Sequence, residues 1–267
     1  MRRKYTYPIL IILVTIGFYY FENYQGDGVQ IFPSDDSEDV NELSFFYLPT
    51  STTSVIVSHT NYSLSYAESH EQAEWVAYEL KKDDISRNEF KRPFFEEDKK
   101  IRSVSADWRN YKNSGYDKGH LCPAADREFS FDAFKETFLT SNISPQNHEF
   151  NAGIWNRLEQ KVRYWAKQYD GVYVVTGGVL RDGLASIGYE GVSVPKHFYK
   201  IILDTNLEEP KIIAFLIPHK ATDAPFEQFV VSVDTLEKLT GIDFFPKLED
   251  DLEHRLEASS NKNGWKF

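Results

Sequence analysis

A single cysteine, Cys122, stands in a chain of 267 residues. That excludes an intrachain disulfide framework and any cysteine-based zinc cluster. A glycine-rich phosphate loop is also missing, because Thr176-Gly177-Gly178 lacks the spacing and the following helix such a loop requires. No internal repeat occurs. Between residues 5 and 80 there is no Lys or Arg at all, against eleven Asp and Glu. This stretch equals the whole net charge of −11, so everything else sums to zero. Taken as one number, −11 speaks against a polyanionic partner, since nucleic-acid binders carry a basic footprint. What is present is an ordinary soluble composition, 41% hydrophobic and 15% aromatic. That is enough to fill one core of roughly 200 residues.

The chain opens Met-Arg-Arg-Lys and then runs uncharged from Tyr5 to Phe21. At about 1.5 Å per residue this run reaches roughly 25 Å, slightly short of a ~30 Å hydrocarbon core. It ends Tyr19-Tyr20-Phe21-Glu22, without the small residues of a cleavage site. An uncleaved signal anchor over residues 1–22 is therefore favoured over a cleaved signal peptide. The basic end stays cytoplasmic and the bulk of the chain is extracytoplasmic, periplasmic or at the cell surface. No cysteine follows the run, which disfavours a lipoprotein anchor. Residues 23–45 read as an acidic linker, and residues 46–267 as the globular domain.

Within that domain, Ser54–Ser58 and Tyr62–Tyr66 read as short strands, and Ala73–Leu80 fits helix or strand equally. The clearest helix is Asn151–Gln168, where Trp155, Leu158, Val162 and Trp165 mark one buried stripe. Val172–Thr176, Val194–Leu203 and Ile212–Ile217 read as sheet strands, and Thr235–Leu239 and Leu248–Leu256 as late helices. This irregular alternation predicts an α+β fold, a central and mainly antiparallel sheet with flanking helices.

Two windows carry chemistry. Tyr111–Asp126 is a turn-rich loop holding Asp117, Lys118 and His120. Imidazole suits general-base work, although a loop histidine taken alone is more often a surface or hydrogen-bonded residue. Thr140–Arg163 crowds Asn142, Asn147, Asn151 and Asn156 around the helix start. Asn151 reads either as the N-cap or, with Glu159 on the same ridge, as a hard-oxygen donor suited to hydrated Mg²⁺. Glu159 and Arg163 also fit an ordinary i,i+4 ion pair, worth about 0.2–0.5 kcal/mol. Charge placement adds weight: residues 99–120 and 155–167 together net +7. A positive patch that takes in His120 and follows directly after Asn151 is what a phosphodiester substrate needs. Asp117, Lys118 and Arg109 are the expected substrate-binding residues.

Asp117-Lys118-Gly119-His120, followed by Leu121, Pro123, Ala124 and Asp126, resembles the Asp-Arg-Gly-His signature of the DNA/RNA non-specific endonucleases. This is the family of Serratia-type nucleases and mitochondrial endonuclease G. Ser141-Asn142-Ile143-Ser144-Pro145-Gln146, Asn151, Trp155, Glu159 and Arg163 follow the family's order, and the likeness covers roughly residues 55–245. The resemblance implies a ββα-metal core and a Mg²⁺-dependent endonuclease of DNA and RNA, with Mn²⁺ tolerated. It also implies roles: His120 as general base, Asn151 as the direct metal ligand and Glu159 holding the metal's waters. Arg163 would neutralise phosphate, and Asn142 would orient His120 or touch substrate. Lys118 stands where the family has Arg, keeping the charge but losing the bidentate fork. The alternative reading is a non-cleaving relative that captures nucleic acid at the surface.

Overall fold

The computed structural model describes residues 47–267 except residue 87 and residues 206–208. The expected anchor and acidic linker lie outside the described residues. Among those described, no helix is long and apolar enough to cross a membrane. Strands β1 (Ile56–Ser58), β2 (Ser63–Ala67) and β3 (Gln72–Leu80) form a meander. After a long loop come β4 (Asp117–His120), helix α1 (Phe131–Glu136), β5 (Ile143–Gln146) and the main helix α2 (Asn156–Gln168). Then follow β6 (Val172–Gly178), the short β7 (Ser186–Ile187) and β8 (Val192–Ser193), β9 (His197–Asp204), β10 (Lys211–Pro218) and β11 (Val230–Val231). Helices α3 (Val233–Thr240) and α4 (Asp250–Glu257) complete the order.

Seven strands form one sheet in the order β1-β2-β3-β6-β9-β10-β11. Every pairing in it is antiparallel, which makes the fold α+β as expected. Both faces of the sheet are covered, and this explains why Ala73–Leu80 has no decisive period. Val76, Tyr78 and Leu80 of β3 point into one core with Trp155, Leu158, Val162 and Trp165 of the helical segment. Trp75 and Ala77 point into a second core with Val233 and Leu236 of α3 and Leu256 of α4. A strand buried on both faces has no polar side to alternate with. Ser232 caps α3 by accepting from the Thr235 amide, and Gly241, at a φ of 75°, ends it in the left-handed conformation.

The strands β4 and β5 make a separate two-stranded ladder, with Gly119 opposite Ser144 and His120 opposite Ile143. This ladder and the helix after it form the frame of the site.

Candidate active site

Gly119 is required by packing. A Cβ built there would lie 2.1 Å from Cδ of Gln146, a side chain that is fully buried. Gly119→Ala is therefore expected to destabilise the protein by about 1–3 kcal/mol, read by thermal unfolding. The next residue, His120, presents its ring against Phe95 and Phe138, with centroids 5.7 and 5.1 Å away. Its Nε2 is buried and has no hydrogen-bond partner among the described residues. Burial, and then the nearby Arg92 guanidinium, push its pKa down to about 3, so the imidazole is neutral across the physiological range. Nε2 therefore keeps a lone pair that no described residue engages, on a ring that burial makes a weaker base than free imidazole.

Asn142 holds this segment from behind. It is completely buried, and its Oδ1 accepts from the Cys122 amide at 2.8 Å. Its Nδ2 donates to the carbonyls of Cys122 and Thr137, both at 3.0 Å. Bonded to backbone at both ends of its amide and wholly buried, Asn142 holds the His120–Cys122 stretch and is out of reach of substrate. Asn142→Ala would strand three buried backbone groups. A loss of about 3 kcal/mol or more in unfolding free energy is expected, measured by denaturant titration. Cys122 is buried and unpaired, with its thiol pushed up to about 12 chiefly by burial, which makes it inert as a nucleophile.

The helix begins earlier than its apolar stripe suggests, and this changes what Asn151 does. A helical turn at His148–Phe150 is capped by Asn147, whose Oδ1 accepts from the Glu149 and Phe150 amides at 3.0 and 3.1 Å. Asn151 is therefore not the cap. It opens a π-type turn, Asn151–Trp155, in which Gly153 takes non-helical angles before α2 starts. Wide turns of this kind are frequent at functional sites. Asn151 Nδ2 donates to Asp117 Oδ2 at 3.0 Å, and His148 Nδ1 contacts the same oxygen at 2.9 Å. A carboxylate only accepts, so the amide nitrogen must face Asp117. The Oδ1 of Asn151 is thereby turned away and accepts no bond from the described residues.

Glu159 forms no ion pair with Arg163. Arg163 instead donates to Asp126 Oδ1 at 2.7 Å, while Tyr78 donates to the other Asp126 oxygen at 2.9 Å. Asp126 is the partner because it is buried beside α2 and needs a counter-charge. Glu159 is raised to about 7 by burial, opposed mainly by the positive charge of Lys200. Lys200 is wholly buried on β9, donates to Thr176 Oγ1 at 3.2 Å and sits 4.7 Å above the Trp155 ring. Burial moves this pair in opposite directions, Glu159 upward and Lys200 downward, each toward its neutral form.

His120 and Arg163 line one cleft of about 1020 Å³ together with Arg92, Gln160, Tyr164 and Lys167. The structure thus brings together His120 and Arg163, and separately joins Asp117 to Asn151. Lys118 lies beside them on β4, its Nζ between the Phe95 and Tyr111 rings at 5.3 and 5.8 Å. Arg109 is not part of this group. It is bound to Asp107 at 2.5 Å and does not line the cleft. Arg92 and Lys200 are the residues sequence reasoning missed. Lys200 leaves a trace, a lone charge inside an apolar strand, but Arg92 is one cation among many in a charged loop.

A strand pair followed by a helix, presenting an imidazole and an amide oxygen that both lack partners, defines a ββα-type site. Residues 40–251 match the family model described as DNA/RNA non-specific endonuclease, and the chain belongs to that family. It is 35% identical over 209 residues to the mitochondrial nuclease EXOG of Mus musculus, covering 72% of this chain and 57% of that protein. To mitochondrial endonuclease G of Homo sapiens it is 31% identical over 225 residues, covering 78% and 74%. A chain in the crystal structure of the EndoG/EndoGI complex superposes with a TM-score of 0.68 at 30% identity, covering 73% of this chain and 87% of that one. The chain spans about 57–63% of the length of the EXOG relatives it matches.

Proposed function

We propose that this protein is a metal-dependent endonuclease that hydrolyses phosphodiester bonds of DNA and RNA. The observation that carries the reading is the neutral imidazole of His120, without a hydrogen-bond partner, on a cleft lined by Arg92, Arg163 and Lys167. The names of the relatives, nucleases and endonucleases, support it.

The donor set fits a hard cation. The free Oδ1 of Asn151 and the carboxylate of Glu159 are oxygen donors, which suits hydrated Mg²⁺, or Mn²⁺, better than zinc. Asn151 would hold the ion directly, and Glu159 would hold its waters. When bound, the ion supplies Lewis-acid stabilisation of charge on the phosphate and the leaving oxygen. His120 would take the proton from the attacking water as the water oxygen bonds to phosphorus and the P–O bond to the leaving 3′-oxygen breaks, that oxygen gaining its proton from solvent water. Arg163, fixed by Asp126, and the cations at the rim hold the phosphate in place. Contacts to phosphate carry no sequence information, in keeping with low base preference.

Incubation of the full chain with plasmid DNA and with RNA tests this reading. Cleavage that needs Mg²⁺ and stops with EDTA is expected. Binding without cleavage would support the non-cleaving alternative, for which Lys118 in place of the family Arg is the motive. Degradation of small diesters but not polymers would point to another phosphodiesterase. We further propose that residues 1–22 tether the protein as an uncleaved anchor, with residues 46–267 extracytoplasmic at the cell surface or in a periplasm. A mature protein beginning near residue 25 would mean cleavage and secretion instead.

A further inference from the structure

On the face of the sheet opposite α2, helices α3 and α4 bring carboxylates together. Side-chain oxygens of Asp234 and Glu237 on α3 and of Glu257 at the end of α4 all lie within 4.8 Å of one another. Glu257 is only 5% exposed, and its Oε1 is buried with no hydrogen-bond partner. A buried carboxylate oxygen without a donor, on a carboxyl group gathered with two more carboxylates, is costly unless a positive charge joins it. Among the described residues no Lys, Arg or His lies within ion-pair distance of Glu257. Lys238 reaches only the outer carboxylate: its Nζ is 3.9 Å from Asp234 Oδ2, on a side chain 80% exposed that can swing away. Glu237 spends one oxygen on the Phe244 amide and keeps the other. Asp243 and Glu253 add further negative charge from either side.

We propose that Asp234, Glu237 and Glu257 form a divalent-cation site, selective for Ca²⁺, that staples α4 to α3. Three carboxylates and no nitrogen or sulfur donor make a hard site. The outer side is open because Asp234 and Glu237 are only partly buried, which leaves room for the waters that complete six to eight oxygens around calcium. Mg²⁺ demands a tighter octahedron than groups on two helices readily supply. The site stands apart from the His120 cleft, and Glu257 lies beyond residue 251, where the family match ends.

The test is calorimetric titration of CaCl₂ into the full chain carrying Asn151→Ala, which removes the ligand of the proposed catalytic ion. Thermal unfolding in CaCl₂ and in KCl of matched ionic strength runs alongside. One calcium site with a Kd of about 10⁻⁴ to 10⁻³ M is expected. A rise in Tm of roughly 5 °C at saturating calcium should accompany it. Adding Glu257→Gln should raise the Tm without calcium, because it removes the repulsion, and abolish the calcium response. Adding Asp234→Asn on the exposed side should weaken binding roughly tenfold. No calcium response in the Asn151→Ala protein, or a response that both further substitutions leave intact, overturns the site.

Discussion

Replacing His120 with alanine is expected to lower the cleavage rate by roughly 10²–10⁴-fold, the usual contribution of a positioned general base. Affinity for nucleic acid should change far less, because Arg92, Arg163 and Lys167 remain on the cleft. Parallel measurement of turnover and of binding under EDTA separates the two effects. A variant that binds and cleaves like the parent would sink the assignment of His120 as base. The same substitution has a signature in stability. In the unfolded chain a histidine titrates near 6.5, whereas in the folded protein burial holds His120 at about 3. Below pH 6.5 the unfolded state therefore binds a proton that the native state refuses, and stability falls as pH drops from about 6.5 toward 3. The slope reaches about 1.4 kcal/mol per pH unit at most. His120→Ala should flatten that part of the curve, a readout that does not depend on activity.

The second large effect is expected at Asn151. Asn151→Ala removes the amide oxygen that the Asp117 contact leaves free, so the Mg²⁺ needed for half-maximal activity should rise by roughly 100-fold or more. Asn151→Asp tests the geometry more sharply. A carboxylate is ordinarily the better Mg²⁺ ligand, yet at this position it would face Asp117 Oδ2 at hydrogen-bond distance with no proton to give. Two carboxylates so placed cannot both ionise easily, so this substitution should also lose activity. Adding Asp117→Asn restores a donor from the other side, and partial recovery in the double variant is the expected result. If Asn151→Asp is as active as the parent, Asp117 does not orient the metal-binding amide.

The candidate site residues could be named from sequence because their signal is local. Gly119 and His120 sit in one short run, and Asn151 and Glu159 follow at fixed spacing. The helix start was not legible, because Asn147 and Asn151 are both good capping residues one turn apart. Only the hydrogen bonds to the Glu149 and Phe150 amides choose between them. The i,i+4 reading of Glu159 and Arg163 fails for a related reason. The spacing permits the pair, but Asp126, brought in from another loop, is the buried acid that Arg163 answers. Arg109 enters the expected site by local charge alone, and its neighbour Asp107 takes it up instead.

From sequence alone followed the α+β class, the helix with its apolar stripe, and the choice of His120, Asn151 and Glu159 as the residues to test. Each of these rests on neighbours within a few positions along the chain. Charge distribution did the rest at this level: −11 in total conceals windows that net +7. What the tertiary structure decided was ionisation and pairing. It set His120 neutral against Phe95 and Phe138, raised Glu159 beside Lys200, tied the amide nitrogen of Asn151 to Asp117, and gathered Asp234, Glu237 and Glu257. The reason is that burial and counter-charge come from residues far away in the chain, and no spacing rule carries them.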